Sequence, residues 1–137
     1  DRDRAVPAAQ AAADGVEPFT QARLDALVNA RRPVFVNMTA AWCITCAVNE
    51  TTSLSTKAVR AAMKDRSVTY LKGDWTNQNP EITRLLEAHG RSGVPLYLLY
   101  TGAGEPQVLP QILTEGTVLA ALEAVPAASG KSAALVR

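Results

Sequence analysis

A short apolar run, Val34-Phe35-Val36-Asn37-Met38, leads directly into Trp42-Cys43-Ile44-Thr45-Cys46, which holds the only two cysteines of the chain. The run has the length and composition of a strand buried on both faces of a sheet. Thr39-Ala40-Ala41 then turns the chain into a helix that carries both thiols. Two thiols at i and i+3 on the first turn of a helix can close a small disulfide ring, and the helix N-terminus favours a thiolate on the first. A Cys-x-x-Cys at such a junction in an α/β pattern reads as a thiol–disulfide redox site.

The flanking pattern supplies the rest of an α/β domain. Thr20 suits the N-cap of a helix through residue 30, with Leu24, Leu27 and Val28 as its apolar stripe and Pro33 ending the segment. The cysteine helix runs to about residue 52, and another spans 57–64. A second strand covers 68–72, followed by a polar loop over 73–79. Pro80 opens a helix through residue 88 that Gly90 closes. A third strand over 96–101, a turn at 102–105 and a fourth strand over 107–109 follow, then a last helix over 117–124. The first two strands are expected to be parallel and the last two antiparallel. In such sheets the chemistry lies beyond the carboxyl ends of the strands, where the cysteine pair sits.

With 137 residues and 47% hydrophobic content, the chain suits one globular domain with a real core. A net charge of +1, with no basic cluster larger than Arg31-Arg32, argues against nucleic acid as a partner. No stretch approaches the roughly 20 apolar residues of a membrane helix, and the N-terminus lacks the order of a signal peptide. Residues 1–17 read as an Ala-rich linker, 18–126 as the domain and 127–137 as a small-residue tail.

With this element order, the run from Val34 to Glu50 resembles the C-terminal thioredoxin-like domain of the DsbD family of thiol:disulfide interchange proteins, in particular its ScsB-type members. Lys72-Gly73-Asp74-Trp75-Thr76 and Gly93-Val94-Pro95-Leu96-Tyr97-Leu98-Leu99-Tyr100 extend the likeness, which covers about residues 18–126. It implies a thioredoxin fold with a central mixed sheet flanked by helices. It further implies a periplasmic domain of an inner-membrane protein, with electrons arriving from a transmembrane domain of the same polypeptide and leaving to a periplasmic thioredoxin-like protein or domain. The redox-active disulfide itself is then the only cofactor, and ScsB-type members suggest copper tolerance.

Cys43, at the helix N-terminus, is the expected nucleophile, with Trp42 as a wall of the site, and Cys46 is the expected resolving thiol. Ile44-Thr45 carries no basic group that would make the disulfide more oxidising, which leans toward a reducing relay. Glu50, four residues after Cys46 on the same helix face, is either a carboxylate acting on the thiols or a solvated surface group. The resemblance carries the first role. Asn37 stands where thioredoxins and many DsbD domains place a buried Asp; an amide cannot exchange a proton there, so Asn37 is read as a hydrogen-bonded core residue. The resemblance also implies a cis bond before Pro95, with Val94 offering backbone groups to a partner segment. Trp75 either lines the partner face or caps the core, and His89 suits a helix C-terminus.

Several rivals stand beside this reading. A static disulfide is disfavoured because so small a ring contributes little loop entropy. A zinc site lacks ligands, His89 being the only histidine. Cu(I) binding by the cysteine pair, a stand-alone reductase for cytochrome c maturation and a redox-inactive interaction domain complete the set.

Overall fold

The computed structural model describes residues 15–126. The tail expected over 127–137 and the lead-in up to residue 14 lie outside them. Five strands form one sheet in the order β1-β3-β2-β4-β5: β1 (Glu17–Pro18), β2 (Val34–Thr39), β3 (Thr69–Asp74), β4 (Leu96–Tyr100) and β5 (Gln107–Val108). β1 and β2 each run parallel to β3, whereas β4 is antiparallel to both β2 and β5. The helices are α1 (Gln21–Asn29), α2 (Ile44–Asn49), α3 (Lys57–Asp65), α4 (Pro80–Ala88) and α5 (Glu115–Leu122). This is a single α/β thioredoxin-like domain with a mixed sheet.

Alternation along the strands sorts side chains into two cores. Val34, Val36, Met38, Leu71, Leu96 and Leu98 pack on one face with Leu24 and Leu27 of α1 and Ile82, Leu85 and Leu86 of α4. Phe35, Tyr70, Tyr97 and Leu99 pack on the other with Val59 and Met63 of α3 and Val118, Ala121 and Leu122 of α5. Both faces are covered, which is why β2 and β4 read as nearly unbroken apolar runs. Asn37 is the polar interruption and faces the second core.

Helix starts follow local capping chemistry. Thr20 Oγ1 accepts from Arg23 N–H at 3.0 Å, Thr56 Oγ1 from Val59 N–H, and Asn79 Oδ1 from Glu81 N–H just ahead of Pro80. Gly90, at φ +70°, closes α4 in the left-handed region that glycine occupies without strain.

Several boundaries differ from the sequence expectation. β1 has no sequence signal; Glu17 and Pro18 become a strand only through pairing with Leu71 and Lys72. β3 continues through Gly73 and Asp74, because Met38 and Thr39 of β2 pair with them. A Cβ on Gly73 would run into the buried Met38 thioether, so the glycine belongs to the sheet rather than to a loop. Val28, expected in the apolar stripe of α1, is exposed, because Leu24 and Leu27 suffice to cover the sheet there. The last helix starts at Glu115, two residues early, on the Thr114 cap. The cysteine helix stops being α-helical at Asn49 and continues as a π-helical turn, Glu50–Leu54. Ser55 N–H and Oγ–H both donate to Glu50 O at its end, so the widened turn is closed by a local side chain.

Candidate functional site

Cys43 and Cys46 form a disulfide at the carboxyl end of β2. Cys43 is the N-cap of α2: its backbone is extended, and its Sγ accepts the Cys46 N–H at 3.1 Å. That N–H is one of the donors a helix start leaves without an intrahelical partner, and in the reduced protein it would serve the Cys43 thiolate. Cys43 is 8% exposed, at the edge of accessibility, while Cys46 lies deeper, packed with Ala40 and Val94. One thiol is thus placed to meet a partner and the other to stay behind it.

The turn before Cys43 is held from the loop after β3. Thr76 Oγ1 accepts from Ala41 N–H at 2.8 Å, and Thr76 O accepts from the Trp42 indole N–H at 3.1 Å. The Thr76 hydroxyl and N–H both donate to Asp74. Those two bonds, the hydroxyl's first, hold the Asp74 carboxyl below its ordinary range. Trp42 remains 54% exposed beside the thiols. Trp75 does not: it is buried, its Nε1–H donates to Thr83 Oγ1, and its ring lies 6.0 Å from that of Trp42. Of its two expected roles the structure gives it the core one, supporting Trp42 from below.

An open groove of about 490 Å³ runs past the inner thiol, lined by Cys46, Ala47, Glu50, Lys72, Asp74 and Thr76 among others. Glu50 shares this groove with Cys46, and its Oε1 is 3.8 Å from Lys72 Nζ. Both side chains are partly solvated, so the pair is a loose one. Glu50 also acts at a distance on the second core. Burial first, and the Glu50 charge after it, push the Tyr70 hydroxyl well above its ordinary range. Tyr97 is pushed up to about 12, again by burial first, against the pull of its Asn49 hydrogen bond.

Asn37 is buried, and its Nδ2 donates to Tyr70 OH at 3.0 Å, but its Oδ1 has no partner. The expectation of a fully satisfied core amide is corrected: no donor among the described residues reaches that oxygen, because its cross-strand neighbours are Lys72, which reaches outward, and Tyr97, which pairs with Asn49. The Val94–Pro95 peptide is cis, and Val94 packs against the cluster formed by Ala40, Cys43 and Cys46. Arg91 steadies this bend by donating to Pro95 O at 2.9 Å. His89 is the C-cap of α4, away from the thiols.

Arg91 carries no sequence signal, and the partners of Asn49 and Thr76 have none either: each acts through a backbone group distant in sequence or across a loop, and only the folded chain shows the pairing. Among the described residues no three His, Cys, Asp or Glu side chains gather to hold a metal ion, and no helix is long and apolar enough to cross a membrane. The cysteine pair, one thiol accessible and one sheltered, is built for thiol–disulfide exchange.

Comparison with solved structures supports the fold. The C-terminal domain of Neisseria meningitidis DsbD in its oxidised form is 23% identical, with a TM-score of 0.58 over 77% of this chain and 96% of that one. Its reduced form gives 22% and 0.59 over 76% and 95%. A thioredoxin from Thermus thermophilus gives 20% and 0.59 over 79% and 83%. No curated protein sequence matches the chain. A family model described as thioredoxin-like matches residues 17–102. That span takes in β1 through β4, the cysteine pair and the cis-proline bend, and the chain belongs to the thioredoxin-like family.

Proposed function

We propose that this domain is a protein-disulfide reductase of the DsbD type, a periplasmic station of an electron relay that passes reducing equivalents from a membrane-embedded domain to thiol partners. The observation that carries the reading is the placement of Cys43 Sγ at the N-cap, with Cys46 behind it on a groove shared with Glu50. The Cys43 thiolate attacks one sulfur of the partner's disulfide, and the other partner sulfur leaves as a thiolate. Cys46 then loses its proton toward the groove and attacks Cys43 Sγ. The second partner thiolate leaves, and the domain is oxidised to the Cys43–Cys46 disulfide while the partner gains two thiols. An upstream dithiol reverses the change.

Two features support a reducing relay over an oxidase. Ile44-Thr45 offers no cation to stabilise the thiolate, and Glu50 brings negative charge to the resolving side. Val94, at the cis bend, takes part in no backbone hydrogen bond among the described residues, which suits pairing with an extended partner segment. The DsbD likeness of sequence and fold points the same way, and copper tolerance belongs to the ScsB branch of that reading.

The test is the equilibrium potential against glutathione. A relay of this kind should lie near or below about −200 mV, whereas a value near about −120 mV would mark an oxidase and overturn the proposal. In the full-length protein, Cys46→Ser should accumulate a mixed disulfide through Cys43, and Cys43→Ser should not.

A further inference from the structure

Trp75 directly follows β3, and its buried ring adjoins two segments that border the cysteine pair. Toward the cysteine helix, it lies 6.0 Å from the Trp42 ring at an interplanar angle of 55°, within the usual range of aromatic pairs. Toward the cis bend, the Cβ position of Gly93 is 3.7 Å from Trp75 Cζ3, an ordinary van der Waals contact. The next residue, Val94, packs both against the core that holds Trp75 and against the Ala40, Cys43 and Cys46 cluster. One ring therefore abuts the turn that enters α2 and the backbone that enters β4.

The orientation of that ring is fixed from α4. Its Nε1–H donates to Thr83 Oγ1 at 2.8 Å, and the Thr83 hydroxyl proton goes to Asn79 O at 3.1 Å, so an oxygen lone pair faces the indole. The Trp75 backbone N–H donates to Thr39 O at 2.7 Å, which ties the same residue to the end of β2. Trp42, by contrast, is 54% exposed, and its indole N–H is held at one point, by Thr76 O. A ring held by one edge is free to pivot about it; a rigid ring against it removes that freedom.

We propose that Trp75, pinned by Thr83, is a positioning residue: it props the exposed Trp42 ring and abuts the cis bend, and so holds Trp42 and Val94 in one fixed relation for an extended partner segment. The inference rests on the dithiol–disulfide exchange proposed above. It adds the buried residue that makes this exchange favour disulfides carried on a peptide chain over small free ones.

The experiment compares two uncharged disulfides as oxidants of the fully reduced protein. One is hydroxyethyl disulfide, which has no chain around its sulfurs; the other is the disulfide dimer of N-acetyl-Ala-Ala-Cys-Ala-Ala amide. The wild type should favour the peptide in second-order rate constant. Trp75→Phe and Thr83→Val should each lower the peptide rate by about threefold to tenfold, the scale of one aromatic pair, and leave the hydroxyethyl rate within about twofold. The second rate persists because the Cys46 N–H that serves Cys43 is untouched by either change. Thr83→Ser keeps the hydroxyl and should match the wild type; the two Thr83 variants carry the test if Trp75→Phe does not fold. In a Trp42→Ala protein, Trp75→Phe should cost little further peptide rate. A wild type without preference, equal slowing of both probes, no loss in Thr83→Val, or full additivity with Trp42→Ala overturns the proposal. A wild type inert toward both disulfides would instead sink the exchange reading.

Discussion

Glu50 Oε1 stands 3.8 Å from Lys72 Nζ, and the two flank the groove that also reaches Cys46. The carboxylate is thus partly solvated where the groove passes the inner thiol, and the buried polar position on β2 belongs to the neutral Asn37. In the exchange proposed above, Cys46 gives up its proton toward this groove.

Glu50→Gln should therefore slow release of a Cys43 mixed disulfide near neutral pH while leaving alkylation of Cys43 within about twofold. Stopped-flow release kinetics across the neutral to mildly alkaline range check it. A release profile that superposes on the wild type would return Glu50 to the role of a solvated partner of Lys72.

Asn37→Asp restores a buried carboxyl where the native chain has none. Burial disfavours its charged form, so its folded pKa rises above the unfolded value of about 4. Stability is then intact below that value and is lost as pH rises through the folded pKa. The loss is about 1.4 kcal/mol for every tenfold difference in proton affinity between the folded and unfolded chains. Urea unfolding in mild acid and at mildly alkaline pH should show the variant losing stability relative to the wild type at the higher pH.

Gly73→Ala should destabilise the domain by about 1–3 kcal/mol, since the added methyl meets the Met38 thioether inside a filled core. Met38→Val in the same chain should recover part of the loss in denaturant midpoint. Additive losses would mean that the strain lies elsewhere.

Tyr97, held up at about 12, and Tyr70, raised further, bind their protons more tightly folded than unfolded. That contribution is full below the ordinary tyrosine value of 10.0 and is lost as pH climbs from there toward 12, because the unfolded chain ionises first. Thermal melts should fall steeply over that alkaline window, and Tyr97→Phe should shallow the fall.

The redox core of the molecule is legible in the sequence because its signals are local. An apolar run, a turn and a helix carrying two thiols need no distant contact to be read. The DsbD likeness locates the cis bond at Pro95 and marks the departure at Asn37. Asn49 has no such signal, since an Asn near a helix end has the same pattern whether it faces water or pins a loop 62 residues away. The π-helical turn at 50–54 has no composition of its own, and Trp75 is buried because the first core, Thr83 and the Trp42 ring receive it. Tertiary pairing decides each of these.

The two outermost strands, Glu17–Pro18 and Gln107–Val108, are only two residues long, and one ends in an imino acid that cannot donate. Among the described residues neither margin offers the long ladder of free amides and carbonyls on which a stray chain could template itself. On the reading proposed above, a domain that admits other polypeptides covalently gives them few places to adhere. On that reading, partners meet the bend beside the sulfurs rather than a long free rim, and promiscuity in chemistry need not become promiscuity in aggregation.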